Sequence, residues 1–339
     1  GQSYQVDAGS SVQSIVDSGI VETNPGDLLA VDGSVLEEGK GEPFSFKVNG
    51  KEYDVDAPLH NGDIVELTPG RDVTEDADST EKTSEYKVSV SGSGPMSVLM
   101  RKGVDGVKVT LVGKISGKTV TETKTKTTHA LVKKFSSDTE EKVVALTFDD
   151  GPGDYTQEIL DILAKYKVKA TFFVDGASVE KNPDEAKAIV DGGNQIAVHA
   201  YENAYLTDMD SDEVKDSVDK TISAIKSSTG VQTDVMRAPY LAFGADEWKA
   251  TDGAITYLIG ATIDTHDLDG VGADQILSAA TDVGPGDIIE MHAGGGDLTA
   301  TVESLPKIIE SLQKQGYTLV TVDELLSKST VPTVTSSSI

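Results

Sequence analysis

From Val143 onward, short apolar runs alternate with amphipathic helical patterns. Seven strands are predicted, at residues 143–148, 170–174, 195–199, 233–237, 256–263, 287–291 and 317–321. The helices between them each have one apolar face, as at Leu305, Ile308, Ile309 and Leu312. Such alternation favours a parallel barrel or a doubly wound sheet. Because no glycine-rich phosphate loop follows the first strand, we favour a barrel, closed or incomplete, over residues 141–328.

The sequence before the barrel predicts a multidomain chain. Residues 1–72 read as a small α+β, β-grasp-like module with one helix and several hairpinned strands. An acidic linker is predicted at 73–85, because this stretch has almost no apolar residues. Alternating Thr, Lys and Val predict a β-rich spacer module at 86–136. The Ser/Thr-rich end, 329–339, is predicted to be a flexible tail.

Composition excludes several classes of partner and chemistry. A net charge of −28 argues against nucleic acid, because phosphate binding needs clustered Lys and Arg. No apolar run approaches the roughly 18 residues of a membrane span, so no membrane insertion is expected. The absence of cysteine excludes disulfides, thiolate metal sites and a cysteine nucleophile. Neither an initiator Met nor a signal peptide is present, so we expect the chain to have been trimmed at Gly1. The expected location is extracellular or at the surface of a bacterial cell, with a signal peptide or anchor removed.

Ionisable residues stand at the ends of five of the seven predicted strands. They are Asp149 and Asp150, His199, Arg237, Asp264 and His292. In a parallel barrel, the active site forms where the carboxyl ends of the strands meet. A surface turn would explain any one of these residues, but their joint placement favours a catalytic or metal site.

The residue types suggest hydrolysis at a carbonyl centre. Either aspartate, together with His199, can hold a divalent cation of zinc or another first-row metal, which lowers the pKa of a bound water. The other aspartate is then free to act as a general base, and His292 can protonate the leaving group. Asp264 could orient and charge His292, and Arg237 could neutralise and orient the base.

The same residues lie in motifs that resemble those of the polysaccharide deacetylases, carbohydrate esterase family 4 with its nodulation-deacetylase-like domain. The resemblance covers about residues 141–328. It is carried by TFDDGP (147–152), GNQIAVHAYENAYLT (193–207), RAPY (237–240), DTHDL (264–268) and IIEMHA (288–293). The first of these motifs is highly specific. The resemblance implies a distorted (β/α)7 barrel that removes acetyl groups from glycans.

The resemblance also assigns roles. It implies Asp149 as the base with Arg237 as its partner, and His292 as the acid with Asp264 as its partner. It implies Asp150 and His199 as metal ligands, and a backbone N–H of Tyr240 that stabilises the oxyanion. The expected cofactor is a divalent metal, with zinc favoured and cobalt, nickel or manganese as alternatives. The expected partner is an acetylated polysaccharide, and the N-terminal modules are expected to be spacers or cell-wall contacts.

Asn203 departs from the family pattern, because the second metal-binding histidine normally stands there. Three outcomes are open: Asn203 ligates the metal through its amide oxygen, His266 takes over, or the metal is lost. We favour ligation by Asn203, because every proton-transfer position carries a competent residue. Tyr240 and Leu268, which replaces a usual tryptophan, are expected to bind substrate, and Leu241, where a glycine commonly stands, also indicates a reshaped groove.

Three functions are therefore compatible with the sequence. The leading one is a metal-dependent deacetylase of an N-acetylated glycan of peptidoglycan or chitin type. The second is an O-acetyl esterase of the acetylxylan type. The third is a catalytically impaired glycan-binding protein, which the residue at position 203 suggests.

Overall fold

The computed structural model describes residues 4–7 and 9–333. Within these residues the chain forms nineteen β-strands and nine α-helices. The strands are β1 (Leu28–Leu29), β2 (Val35–Glu37), β3 (Ser45–Val48), β4 (Val65–Thr68), β5 (Val73–Thr74), β6 (Ala77–Ser84), β7 (Val88–Gly92), β8 (Met96–Arg101), β9 (Gly106–Gly113), β10 (Thr119–Thr125), β11 (Ala130–Phe135), β12 (Val143–Gly151), β13 (Thr171–Val174), β14 (Gln195–Val198), β15 (Val235–Met236), β16 (Tyr257–Ile259), β17 (Ile263–Asp264), β18 (Ile288–His292) and β19 (Thr318–Val320). The helices are α1 (Val12–Asp17), α2 (Thr156–Tyr166), α3 (Gly176–Lys181), α4 (Pro183–Asp191), α5 (Ser211–Thr229), α6 (Ala245–Ala250), α7 (Ala273–Thr281), α8 (Thr299–Lys314) and α9 (Val322–Ser327).

The chain divides into two compact units, each built from two stretches of sequence. The first unit contains residues 1–84 and 105–126, and the second contains 85–104 and 127–339. The predicted spacer module at 86–136 is therefore wrong as a separate domain. Its strands β9 and β10 form a sheet with β6, whereas β7, β8 and β11 extend the sheet of the second unit. Strand propensity identified these strands but could not show which sheet each one joins.

The predicted linker at 73–85 is also wrong, because β5 and β6 occupy most of it. Strand β6 pairs with β9 over eight residues. All of its side chains after Ala77 are exposed, so neither face is covered. A strand exposed on both faces needs no apolar alternation, and such a sequence therefore resembles a linker.

The strands of the first unit form three small sheets. Their orders are β2-β1-β5, β3-β4 and β10-β9-β6. Helix α1 contributes Val12 and Ile15 to a small core that contains Val48 and Leu59. Among the described residues, the strands do not gather into the single sheet that the β-grasp interpretation requires. The tail predicted at 329–339 extends beyond the described residues from position 334 onward.

The second unit contains a run of parallel strands with the order β17-β18-β12-β13-β14-β15-β16, as the alternating pattern predicted. Strand β19 pairs with the first part of β12. All nine residues of β12 are buried. A parallel strand is covered on both faces, which explains the nearly continuous apolar run before Asp149.

One predicted strand, 256–263, is in fact two. Strands β16 and β17 flank a break at Gly260, and no ladder between them occurs in the described part of the chain. Strand β16 instead pairs antiparallel with β8, so the barrel is interrupted there. The carbonyl oxygens of Ile259 and Gly260 accept hydrogen bonds from the Arg237 guanidinium. The break therefore supplies acceptors for a buried side chain of the site.

No helix among the described residues has the length and apolar character needed to cross a membrane.

Candidate active site

The carboxyl ends of the parallel strands of the second unit meet at a cleft of about 430 Å³. Strand register places Asp149 of β12 directly opposite His292 of β18. His199 and Arg237 each follow the last residue of a strand, β14 and β15 respectively. The cleft is lined by Asp149, Asp150, His199, Asn203, Tyr240, Asp264, Leu268 and His292, among others. Sequence reasoning from strand ends therefore identified residues that the fold brings together.

Arg237 fixes the position of Asp149. Its side chain is fully buried, and its Nη1 donates to Asp149 Oδ1 and to Thr147 Oγ1, at 2.8 Å each. The guanidinium also lies over the Phe173 ring, 4.4 Å from its centroid. A buried carboxylate needs such a counter-charge, because desolvation penalises an isolated ion. This pairing is the one predicted.

Asp150 and His199 form a second buried pair. His199 Nε2 lies 3.3 Å from Asp150 Oδ1, and its Nδ1 lies 2.8 Å from the carbonyl oxygen of Arg237. A carbonyl accepts only, so Nδ1 carries the proton and donates, which leaves Nε2 available to a cation. Burial alone would lower the pKa of His199, but the hydrogen bond that Asp150 accepts from it and the charges of nearby carboxylates raise that pKa. Burial alone would raise the pKa of Asp150. The hydrogen bonds from His199 and Asn203, together with the charge of His199, outweigh burial and lower that pKa.

Asn203 presents its amide nitrogen to Asp150. Its Nδ2 donates to both carboxylate oxygens at 3.0 Å, and its side chain reaches the cleft from the segment after His199. The predicted ligation needs the amide oxygen to face the cation instead. Ligation by Asn203 therefore stays a prediction, and in this structure Asn203 is a hydrogen-bond donor to a predicted ligand.

Asp267, and not Asp264, is the partner of His292. Asp267 Oδ1 lies 2.7 Å from His292 Nδ1, and Oδ2 accepts from the His292 backbone N–H and from Thr301 Oγ1. The predicted pairing with Asp264 is wrong. Asp264 ends β17 with an exposed side chain and lies 3.3 Å from His266 Nδ1. Both aspartates lie in the same short motif, and only the turn after β17 decides which of them points inward.

The Asp267 carboxylate also sets the charge of His292. Burial alone would lower the pKa of His292, but the hydrogen bond and charge of Asp267, with Asp149 and Asp150, raise it to about 9. His292 is therefore protonated near neutral pH, as a general acid must be.

Two further carboxylates at the site were missed by the sequence analysis. Asp175 follows β13 immediately, so the strand-end rule could have found it. It is 7% exposed, its Oδ1 has no hydrogen-bond partner, and burial raises its pKa to about 7. Glu290 lies inside β18 and not at its end, so the strand-end rule could not have found it. Burial raises its pKa.

Carboxylates and histidines that could hold a cation form two groups in the described chain. They are Asp150, Asp175 and His199, and Asp149, Glu290 and His292. The first group fits a divalent cation better, because Asp149 is already neutralised by Arg237 and His292 is engaged by Asp267. In the first group, Asp175 Oδ1 has no hydrogen-bond partner, and His199 is oriented so that its Nε2 is free to bind a cation. A metal ligand set requires both properties.

The turn at Tyr240 has an unusual backbone. Tyr240 and Leu241 both have left-handed φ angles, 56° and 55°. Such angles are costly for residues with side chains and concentrate at functional sites. The Tyr240 ring is half exposed and stacks on Tyr205 with 4.0 Å between ring centroids. Leu268, predicted to contact substrate, lines the same cleft.

The second unit is thus an α/β protein of parallel strands with an acid–base and metal-type site at their carboxyl ends. The family model described as polysaccharide deacetylase matches residues 136–256. A peptidoglycan-N-acetylglucosamine deacetylase of Bacillus cereus is 34% identical over 198 residues, which are 58% of this chain and 72% of that protein. The chain belongs to the polysaccharide deacetylase family.

Other relatives are longer than the matched region. A bifunctional xylanase/deacetylase of Pseudobutyrivibrio xylanivorans is 37% identical over 186 residues, 55% of this chain but only 30% of that protein. The chain thus spans about a third of the length of that relative. The matches to both proteins cover little more than half of this chain.

Two solved structures resemble the second unit at a TM-score of 0.52. A structure described as T48 deacetylase with substrate is 37% identical and covers 56% of this chain and 92% of that chain. A pseudoenzyme of carbohydrate esterase family 4 from Bacillus anthracis is 32% identical and covers 56% of this chain and 67% of that chain. The family fold thus includes both active and inactive members.

Proposed function

We propose that the second unit is a metal-dependent deacetylase of an N-acetylated glycan of peptidoglycan or chitin type, built on an interrupted (β/α)7 barrel. One observation carries this proposal: two carboxylates and two imidazoles, all held in buried charge pairs, surround a single cleft. The B. cereus relative, named for acting on N-acetylglucosamine in peptidoglycan, supports the substrate class.

Asp149 serves as the general base in this proposal. Arg237 holds one of its carboxylate oxygens by a hydrogen bond, and the strand register sets Asp149 opposite His292. Asp150 and His199 form the core of the metal ligand set in this proposal. Zinc is the favoured metal, with cobalt, nickel or manganese as alternatives. A divalent cation bound there would supply the activation of a water for attack on a carbonyl. The role of Asp149 would be to accept the proton of the attacking water.

His292 serves as the general acid that protonates the leaving amine. Its Nδ1 is engaged by Asp267, so its Nε2 is the atom that donates. The Tyr240 backbone N–H is proposed to stabilise the oxyanion of the tetrahedral intermediate, and the place of Tyr240 in the cleft lining and its left-handed φ angle support this role. The Tyr240 ring and Leu268 are proposed to contact the sugar.

The proposed setting follows from the substrate. Intact peptidoglycan or chitin is too large to enter a cell, so we propose an extracellular or cell-surface location. The first unit is proposed as a spacer or a cell-wall contact.

Acetate release tests the function. Wild-type protein with zinc should release acetate from N-acetylglucosamine oligomers, and more slowly from acetylated xylan. His292→Ala should lower the rate by about 10² to 10⁴-fold, the range that a general acid contributes. His60→Ala, an exposed histidine of the first unit, is the matched control and should keep full activity. Faster release from xylan would instead support the O-acetyl esterase.

Asn203 favours a second candidate, an impaired glycan-binding protein. Its amide nitrogen hydrogen-bonds both oxygens of Asp150, a predicted metal ligand. That candidate predicts binding of N-acetylglucosamine oligomers without acetate release at any zinc concentration. Acetate release by the wild type, abolished by a chelator and restored by zinc, would exclude it.

A further inference from the structure

Asp175 is a buried carboxylate without an assigned task. It follows the last residue of β13 and precedes α3, at the position where a side chain often caps a helix. Its side chain makes no such cap, and Oδ1 has no hydrogen-bond partner. Removing a carboxylate from water without a partner is costly, so such a group in a folded protein calls for a ligand that compensates it.

Asp175 faces the ligands already described. One ligand atom each of Asp150, Asp175 and His199 lies within 4.8 Å of the other two. All three side chains are at least nine-tenths buried. Donors bonded at about 2.1 Å to one first-row cation lie roughly 3 to 3.5 Å apart, so small side-chain adjustments bring this group to coordination distance.

The charges of the group point to a cation. Arg237 neutralises Asp149, and His199 pairs with Asp150, but none of the ion pairs among the described residues includes Asp175. Burial of an additional negative charge among carboxylates is unfavourable until a cation compensates it. The three donors thus provide both the charge and the geometry that a divalent cation needs.

Asn203 has a different task in this arrangement. It stands where the family pattern has a ligand, but it donates from Nδ2 to both oxygens of Asp150. A donor on a ligating carboxylate orients that carboxylate and does not itself bind the cation.

We propose that Asp175 is the third protein ligand of the metal, so that two aspartates and one histidine hold it and Asn203 orients Asp150. This inference depends on the proposed function only in taking a metal to bind at this site. A set with two carboxylates favours hard cations more than a set with two imidazoles does. The preference for Zn²⁺ over Mn²⁺ should therefore be smaller at this site than at a site with one aspartate and two histidines.

Metal titration tests this proposal without reference to activity. The 339-residue chain is first treated with a chelator. Binding of Mn²⁺ is then measured by the loss of the electron paramagnetic resonance signal of free Mn²⁺, and binding of Zn²⁺ is measured by calorimetry. Asp175→Asn keeps the size of the side chain and should weaken binding of both ions at least about tenfold. Loss of a residue that only hydrogen-bonds to a metal ligand already lowers metal affinity by about that factor, and loss of a ligand should cost no less. Asn203→Ala should weaken binding less than Asp175→Asn does.

Glu202→Gln is the matched control, because it removes one negative charge from an exposed side chain whose charge also acts on Asp175. It should bind both ions within about twofold of the wild type. Thermal melting of metal-free Asp175→Asn should show a folded protein, and added Mn²⁺ should raise its melting temperature less than that of the wild type.

The outcomes separate two failures. If wild type binds a metal and Asp175→Asn binds it equally well, the ligand assignment is overturned and the proposed function stands. If the wild type binds neither ion, the metal-dependent function fails and the ligand assignment fails with it.

Discussion

At the scale of single residues, the site depends on buried charges that each have a specific partner. Arg237 pairs with Asp149, His199 with Asp150, and Asp267 holds His292. Breaking one of these pairs leaves an uncompensated charge, which costs more than the pair itself contributes. The partners are therefore as necessary for the arrangement as the residues that face the cleft.

Some of these partners could be predicted from the sequence, and others could not. The strand-end rule found Asp149, Asp150, His199, Arg237 and His292, because parallel strands bring their carboxyl ends to one edge. It chose Asp264, the strand-end residue, over Asp267, which the following turn directs inward. Glu290 lies inside a strand, where only the completed sheet shows that its side chain reaches the site.

His292 should make the stability of the metal-free protein depend on pH. Its folded pKa of about 9 exceeds the usual unfolded value, so protonation favours the folded state. This contribution is complete below about pH 6.5 and is lost as the pH rises through about 9, an amount of about 3 kcal/mol. Urea unfolding from pH 6 to pH 10 should show that the advantage of wild type over His292→Gln shrinks by this amount.

Asp267→Asn supplies the control for that experiment. It removes the charge that raises the pKa of His292 but leaves the imidazole in place. Its stability should fall less than that of the wild type over the same pH interval. Parallel pH profiles for wild type and His292→Gln would contradict the assignment.

At the scale of elements, the helices were more predictable than the strands. Asn182 and Pro183 marked the beginning of α4, and the apolar face at Leu305, Ile308 and Leu312 identified α8. Helix signals are local, since caps and the 3.6-residue period lie within one segment. Strands β6, β16 and β17 were misjudged, because their boundaries depend on partners far away in sequence.

Helix α5 offers a test of a local signal. Asp210 caps it by accepting from the backbone N–H groups of Asp212 and Glu213, and Glu213 reaches back to the Asp210 N–H. Asp210→Ala should lower the free energy of unfolding by about 1 kcal/mol. Asp212→Ala, an equal charge change in the first turn without the cap, should cost only a few tenths of a kcal/mol. Equal losses in urea unfolding would show that charge, and not capping, is responsible.

At the scale of the whole molecule, the limits of the second unit were the least predictable feature. The predicted boundary at residue 141 and the family match from residue 136 both omit β7, β8 and β11. These strands complete the sheet beside β16, and Met96, Val98 and Phe135 belong to its core. Their sequence resembles that of the first unit, so composition alone could not assign them.

A shortened chain tests this assignment. Residues 141–328 alone should melt at a lower temperature than the full chain and should aggregate, because β16 would become an uncovered edge. Residues 85–333 with 105–126 replaced by a short glycine-containing turn should remain monomeric, because Val104 and Thr128 already pair across that gap. Calorimetry and size-exclusion chromatography measure both outcomes. A monomeric 141–328 fragment with an unchanged melting temperature would show that the three strands are dispensable.

The pairing of β8 with β16 also has a consequence for biosynthesis. Strand β8 ends at Arg101, and β16 begins only at Tyr257. While the ribosome translates the residues between them, one side of β8 presents unpaired backbone groups to the surrounding medium. Until β16 is made, this edge can pair with the wrong strand, so the interval is the one in which the nascent chain is most prone to mispairing.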